Sequence, residues 1–167
     1  PGRALENVWY RFDILSDYGA FRDLQRHRML TIEWQPLSTD HGYEVPEPVI
    51  EAGYAANFDE AMDRSDDLYT ALAESFPQQA GYAVALAYKV RYSMTLNARA
   101  AMQMLELRTE RQGHPSYRKV CQDMHTLIAE KAGHHAVAEM MKFVDHEIYD
   151  LERLESERRT ETRRLNG

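Results

Sequence analysis

The sequence predicts an α+β domain that is rich in helix and contains a small sheet. Residues 7–14 and 88–96 combine aromatic and β-branched residues with alternation of apolar and polar side chains, which is typical of strands. Several longer segments repeat apolar residues every three or four positions, which is typical of amphipathic helices. Each predicted strand leads directly into a predicted helix.

Capping and helix-breaking residues set the bounds of the predicted elements. Ser16 and Asn57 suit helix N-caps, whereas Pro77 and Gly113 end helical patterns. In chain order, the prediction is a strand over 7–14, a helix over 17–30, an extended segment over 29–35, a loop over 36–56, a helix over 58–75, a short helix near 78–86, a strand over 88–96, and helices over 97–112, 116–132 and 135–164.

The length and composition fit one domain, or one domain with an appendage. The chain has 167 residues, of which 44% are hydrophobic, enough for a real core. No apolar run reaches 18 residues, so we expect no membrane span. Cys121 is the single cysteine and no leader is visible in residues 1–12, which together favour the reducing cytoplasm.

The charge is unevenly distributed along the chain. The net charge is −7, which argues against a surface that coats a nucleic acid polymer. Residues 31–80 carry a balance of −10, whereas residues 81–119 carry +5. Local excess arginine in an acidic protein indicates a focused anion pocket. Chance clustering on solvated helix faces is the alternative interpretation.

The first candidate site is a basic cluster at the end of the helix predicted over 17–30. Arg22 and Arg26 are one helical turn apart, and His27 and Arg28 continue the cluster. Arginine suits phosphate because its planar fork donates two parallel hydrogen bonds. Cations are also favourable near any helix C-terminus, so a purely structural role is the alternative.

The second candidate site lies on the helix predicted over 97–112. Asn97 and Arg108 are three helical turns apart and therefore share one face. Ala101 and Met104 lie between them, and the small residue at position 101 is expected to leave room for a flat ring. An asparagine N-cap and an exposed arginine are common, so the pair alone is weak evidence.

These two segments resemble the flavin-dependent thymidylate synthase (ThyX) family. The first carries Arg26-His27-Arg28, and the second carries Asn97-Ala98-Arg99 followed by Leu107-Arg108. The resemblance implies a ThyX-like fold and FAD as the cofactor. It also implies NADPH and methylenetetrahydrofolate as co-substrates, reductive methylation of dUMP to dTMP, and a homotetramer with active sites at subunit interfaces.

The resemblance also implies roles for individual residues. Arg108 is expected to act in catalysis by favouring ionisation of the pyrimidine ring. The expected flavin-binding residues are Arg26, His27, Arg28, Asn97, Arg99 and Gln103, the last standing where the family usually has asparagine. The expected nucleotide-binding residues are Arg22, Arg26, Ser38 and Arg108.

The sequence departs from the family pattern mainly in the nucleotide contacts. The serine that closes the first motif is Pro36 here, and Ser38 could replace it only if the loop shifts. Trp34 stands in place of a glutamate, and Asp23 replaces a glutamine near the expected phosphate. An arginine that holds nucleotide across a subunit boundary is Gly81. These departures favour an alternative: a catalytically impaired domain with a structural or flavin- and nucleotide-binding role in a larger assembly.

The resemblance covers roughly residues 1–145, which we predict to be the ThyX-like domain. Residues 146–167 are predicted to be a charged helical extension. Residues 112–118, QGHPSYR, resemble the second copy of long two-copy family members.

Other chemistries are less well supported. Cys121 lacks the surroundings of a catalytic nucleophile, so a packed thiol is expected. His134 and His135, with His125 or His146, have no standard metal-ligand spacing, and no metal is expected. No glycine-rich dinucleotide loop occurs, so flavin binding would depend on arginines, amides and helix ends.

Overall fold

The structure, a computed structural model, describes residues 2–149 and residue 162. It confirms the predicted α+β class, with several helices and one three-stranded sheet. The chain divides into two compact units. The first contains the described residues of Pro1–Phe12, His27–Thr31 and Met94–Gly167, and the second contains Asp13–Arg26 and Ile32–Ser93. No helix in the described ranges is both long and apolar enough to cross a bilayer.

The sheet contains strands β1 (Trp9–Asp17), β2 (Thr31–Trp34) and β3 (Lys89–Asn97), in the order β1-β3-β2. The backbone bonds from Ala98 to Val8 and from Tyr18 to Tyr88 show that β1 and β3 are antiparallel. Alternate residues of both strands are buried, as the alternation in the sequence predicts, so one face of the sheet packs on a core.

Most helices differ from their predicted bounds at their ends, and the prediction of a loop over 36–56 is wrong at residues 47–51, which form a short helix. The helices are α1 (Tyr18–Leu24), α2 (Glu47–Glu51), α3 (Ala55–Ser75), α4 (Ala98–Arg108), α5 (Pro115–Glu130) and α6 (His135–Met140), with short 3-10 helices at Arg3–Asn7 and Ala80–Ala83.

Two predicted N-caps are wrong. Asp17, and not Ser16, caps α1, because the Asp17 carboxylate accepts a hydrogen bond from the Ala20 amide at 2.8 Å. Ser16 is buried at the end of β1, where its hydroxyl bonds that of Tyr92. Asn57 lies within α3, which begins at Ala55 without a side-chain cap.

In the second unit, α3 packs on the segment that leads into β3. Met62, Val84 and Tyr88 form its buried cluster, and the Tyr88 hydroxyl donates to the Met62 carbonyl at 2.7 Å. Ser65 bonds the backbone of the same segment. This α3 contact fixes the chain just before β3 begins.

In the first unit, α4 and α5 pack on each other through fully buried side chains. Those of α4 are Ala98, Ala101, Met104 and Leu105, and those of α5 are Cys121, Met124 and Ile128. Because these helices share a core, the α4 residues named above as site candidates lie on a rigid element.

The helix predicted over 135–164 is wrong over residues 141–149, because α6 ends at Met140 and residues 141–149 are not helical. The backbone of 141–149 instead bonds side chains of α4 and α5. Glu106 accepts from the Phe143 amide, and Gln122 donates to the Asp145 carbonyl. The predicted extension over 146–167 falls mostly outside the described residues.

Candidate functional site

The basic triplet, Arg26-His27-Arg28, follows α1 and does not form its last turn. The helix ends at Leu24 and Arg26 lies in the following turn, so Arg22 and Arg26 do not share a helix face as predicted. The carboxylate of Asp23 lies 3.6 Å from Arg26 Nη2. Asp23 is therefore an ion-pair partner of the arginine expected to hold phosphate.

Asn97 is the N-cap of α4. Its side-chain oxygen accepts a hydrogen bond from the Ala100 amide at 2.9 Å, which is the structural role weighed in the sequence analysis. Ala101 and Met104 are 0% and 1% exposed. The expectation that a flat ring approaches the helix at Ala101 is therefore wrong, because that face is packed in the core.

Arg99 is half-exposed and forms an ion pair with Glu6, with 2.5 Å between Arg99 Nη1 and Glu6 Oε1. The hydrogen bond from Arg99, together with one from Arg3, holds the pKa of the Glu6 carboxyl below its ordinary value. No local sequence pattern predicts this ion pair, because Glu6 and Arg99 are 93 positions apart in the chain.

One hydrogen bond joins the two motifs. Arg108 Nε donates to His27 Nε2 at 2.9 Å across 81 residues of sequence. The Arg108 guanidinium carbon also lies 5.5 Å from the centroid of the Tyr117 ring, within cation–π distance. The structure therefore brings together one residue from each predicted half of the site.

This contact defines the protonation state of His27. Because Nε2 accepts a hydrogen bond, the neutral ring carries its proton on Nδ1. Burial lowers the pKa of His27 below its ordinary value, and the nearby charge of Arg108 lowers it further. His27 is consequently neutral near pH 7 and holds Arg108 through a lone pair.

The remaining predicted site residues are exposed or only partly buried. The side chains of Arg22 and Arg28 are exposed and make no hydrogen bond or ion pair with other side chains or backbone within residues 2–149. Ser38 is half-buried and accepts from the Asp40 amide at 3.4 Å, and Pro36 is exposed. By unit, His27, Arg28, Asn97, Arg99, Gln103 and Arg108 belong to the first, and Arg22, Arg26 and Ser38 to the second.

Gln103 lies on an open groove of about 600 Å³ in the first unit. Leu107 and Phe143 give the groove apolar surface, with exposed fractions of 49% and 78%. Glu106, on the same groove, accepts the hydrogen bond from the Phe143 amide, so its carboxylate helps to hold the groove's wall.

Cys121 is an inert thiol in this setting. It is 0% exposed, and burial raises its pKa to about 12. Its expected role as a packed residue is confirmed. His125 and His146 contact each other at 2.9 Å, while His134 bonds Tyr10. The described residues contain no group of three or more histidine, cysteine, aspartate or glutamate side chains arranged to hold a metal.

Tyr117 and Arg118 were missed as site-supporting residues. Both lie in residues 112–118, QGHPSYR, to which the sequence pattern assigned no role in the site. Tyr117 packs on Arg108, and Arg118 is a buried arginine that bonds the carbonyl of Thr109 at 2.9 Å. The available signal was that Arg118 occupies a position at which the apolar spacing of α5 predicts a buried hydrophobic residue.

Fold and geometry define a class: a small α+β domain in which an arginine and a histidine from two segments distant in sequence are joined by a hydrogen bond. The model of the family described as thymidylate synthase complementing protein, Thy1, matches residues 1–134. The chain belongs to this family, and is a thymidylate-synthase-like domain.

Curated relatives agree with this assignment. The chain is 43% identical over 157 residues to a UPF0159 protein of Chlamydia muridarum, covering 94% of this chain and 29% of that protein. It is 42% identical over 160 residues to a UPF0159 protein of Chlamydia pneumoniae, covering 95% and 30%. It is 38% identical over 159 residues to the UPF0159 protein Ta1429 of Thermoplasma acidophilum, covering 93% and 31%. The chain thus spans less than a third of the length of these relatives.

Proposed function

We propose that this chain is an FAD-dependent thymidylate synthase domain that contributes to the reductive methylation of dUMP to dTMP with methylenetetrahydrofolate and NADPH. The observation that carries the proposal is the hydrogen bond between Arg108 and His27. It joins the two segments that resemble the family's motifs, and it does so inside a chain that belongs to that family.

The donor set fits an anionic, imide-containing cofactor such as FAD. Arg28 offers its guanidinium to solvent, and Arg26 is two-thirds exposed beside Asp23. Guanidinium groups bind phosphate oxygens through paired hydrogen bonds, and side-chain amides such as Gln103 pair with imides. We assign flavin contacts to Arg26, His27, Arg28, Asn97, Arg99 and Gln103. Bound FAD would supply hydride transfer.

Arg108 is the residue to which we assign a catalytic role. With Nε committed to His27, its Nη groups are the donors left for a pyrimidine. A guanidinium beside a ring imide stabilises the deprotonated form and so favours ionisation. Neutral His27 supports this role, because only the neutral ring has a lone pair on Nε2 that can accept from Arg108 Nε and so orient the guanidinium.

The nucleotide phosphate is assigned to Arg22 and Arg26, with Ser38 as the nearest hydroxyl to the expected serine position. Two carboxylates compete with an anionic ligand for these arginines and their neighbours: Asp23 pairs with Arg26, and Glu6 pairs with Arg99. A bound phosphate or flavin would have to share or displace these carboxylates, which weakens binding by this chain alone.

A second candidate function is a catalytically impaired family domain that serves a larger assembly. The Arg26–Asp23 pair and the Pro36 and Gly81 departures favour it. In this case residues outside the chain supply the missing nucleotide contacts. In either case we propose residues 1–145 as the functional domain, 146–167 as its extension, a homotetramer and a cytoplasmic setting.

A visible spectrum of the purified chain tests the first step. Flavin absorbance, retained or restored by added FAD, is expected. Arg28→Ala should abolish retention without unfolding the chain, whereas Arg64→Ala, an exposed arginine on α3 paired with Glu60, should not. Unchanged flavin affinity in Arg28→Ala would contradict the assigned pocket.

Formation of dTMP with all substrates present then separates the two candidates. Turnover supports the enzyme. A yellow protein without turnover favours the impaired domain, and a colourless protein that takes up no added FAD excludes catalysis by this chain on its own.

A further inference from the structure

Arg118 is a buried arginine on α5 whose guanidinium is used entirely inside the first unit. Its side chain is 3% exposed. Nε donates to the Thr109 carbonyl at 2.9 Å, and Nη2 donates to the Glu147 carbonyl at 3.1 Å. The carboxylate of Asp145 lies 3.7 Å from Nη2, and the Tyr149 ring centroid lies 4.8 Å from the guanidinium carbon.

Stability alone does not account for a charge placed this way. Removing a guanidinium from water costs several kcal/mol, and well-packed apolar residues of similar volume are often as stabilising or more so. Arg118 has one carboxylate at ion-pair distance, and its closest contacts are two backbone carbonyls. Its distinctive effect is to fix backbone atoms at the end of α4.

The backbone that Arg118 fixes is that of the residue after Arg108. Thr109 is 0% exposed, and all its polar atoms are bonded. Its amide and hydroxyl donate to the Leu105 carbonyl, its hydroxyl accepts from the Asp145 amide, and its carbonyl accepts from Arg118. The backbone that follows Arg108, the last residue of α4, is therefore anchored.

The residue beside Arg118 contacts Arg108 from another direction. The Tyr117 ring lies 5.5 Å from the Arg108 guanidinium carbon. Gly113 permits this approach, because a Cβ at that position would lie 2.9 Å from both Arg118 Cγ and Tyr117 Cε2. The start of α5 thus contacts both the backbone of the residue after Arg108 and the side chain of Arg108.

We propose that Arg118 is a positioning residue for Arg108: by anchoring Thr109 and the start of α5, it sets the Arg108 guanidinium in the orientation that bonds His27. The inference rests on the proposed function for the use of Arg108 toward a pyrimidine. The geometric step, from Arg118 to the Arg108–His27 bond, is independent of any ligand.

The test reads His27 directly in the ligand-free chain. In ¹⁵N-histidine-labelled protein, the ring signals of His27, assigned with His27→Gln, report its titration midpoint and which nitrogen accepts a hydrogen bond. Five proteins are compared: wild type, Arg108→Ala, Arg118→Met, the double variant that carries both substitutions and, as a matched exposed cation on the same helix, Lys119→Met.

Arg118→Met should move the His27 midpoint and Nε2 signal from the wild-type values to those of Arg108→Ala. The double variant should show no further change, and Lys119→Met should match wild type. A merely structural Arg118 would leave the His27 signals at wild-type values or would act additively with Arg108→Ala. Either result, or identical signals in wild type and Arg108→Ala, overturns the proposal.

Arg118→Lys covers the case in which Arg118→Met does not fold. Lysine keeps the charge but loses the fixed fork that reaches two carbonyls, so the His27 signals should shift in the same direction while circular dichroism stays native. Native spectra with wild-type His27 signals overturn the proposal.

Binding of dUMP to FAD-loaded protein is a separate readout. Arg118→Met should weaken it by about tenfold, or ~1.4 kcal/mol. That loss should be absent in the Arg108→Ala background. If wild type binds neither ligand, the proposed function fails while the His27 measurement still decides the role of Arg118.

Discussion

The two segments that resemble the family motifs are held in different ways. The second lies on α4, where Asn97 caps the helix and Leu105 is 0% exposed. The first, residues 26–28, follows the end of α1 in non-helical backbone, with Arg26 and Arg28 exposed. Substitutions on α4 should therefore act first on folding, and substitutions in the triplet should act first on ligand binding.

The largest expected difference is in the free energy of unfolding, between a substitution in the packed core of α4 and one at an exposed residue next to the triplet. Leu105→Ala should lower the free energy of unfolding by about 2–5 kcal/mol, because it leaves a cavity under α4. Met29→Ala, next to the triplet and 74% exposed, should change it by less than about 0.5 kcal/mol. Urea denaturation measures both, and equal losses would contradict the contrast.

A smaller effect is expected where α4 turns into α5. Gly113→Ala should destabilise by about 1–3 kcal/mol, because the added Cβ would overlap Arg118 Cγ and Tyr117 Cε2 at 2.9 Å. Gly2→Ala is the control, since no atom lies within 4 Å of its added Cβ. A stability change in Gly113→Ala no larger than in this control would show that the corner is not tightly packed.

The roles of Asn97 in capping and in binding can be separated. Asn97→Ala should cost about 1 kcal/mol through loss of the cap. Asn97→Asp keeps an acceptor for the Ala100 amide and should retain most of that stability. If the amide also contacts flavin, Asn97→Asp should still weaken FAD affinity in a fluorescence titration. Unchanged affinity would leave Asn97 as a cap alone.

The smallest expected effect is a pH dependence from His27. Its folded pKa is lowered by burial and by Arg108, so the unfolded chain binds the proton more readily. The contribution of His27 is present above the unfolded pKa of about 6.5 and is lost as the pH falls through the lower folded pKa. Wild type should therefore lose more stability between pH 7.5 and 5.5 than His27→Gln does. Equal slopes would contradict the neutral His27 acceptor.

Local patterns were sufficient for the sheet and for most helices. The alternation from Tyr88 to Leu96 predicted β3 because successive side chains of a strand point to opposite faces, and one face is buried here. The apolar spacing and breaking residues around α5 predicted its bounds to within two residues. The triplet itself was visible as a basic cluster, since charge density requires no tertiary contact to be seen.

Helix ends were less predictable because tertiary contacts override weak local preferences. The helical pattern of 17–30 continued past Leu24, yet Met29 is exposed and the chain instead turns toward β2. Residues 141–149 have apolar helical spacing, but their backbone groups bond side chains of α4 and α5. Such partners, distant in sequence, leave no local signature.

From the order of its residues alone, this chain reveals an α+β class and two cationic motifs, because these depend on periodicity and residue chemistry. Folding decided that Arg108 bonds His27, that Glu6 pairs with Arg99 and that Arg118 is buried beneath Thr109. Each of these contacts depends on which elements pack together, and packing is set by the whole core.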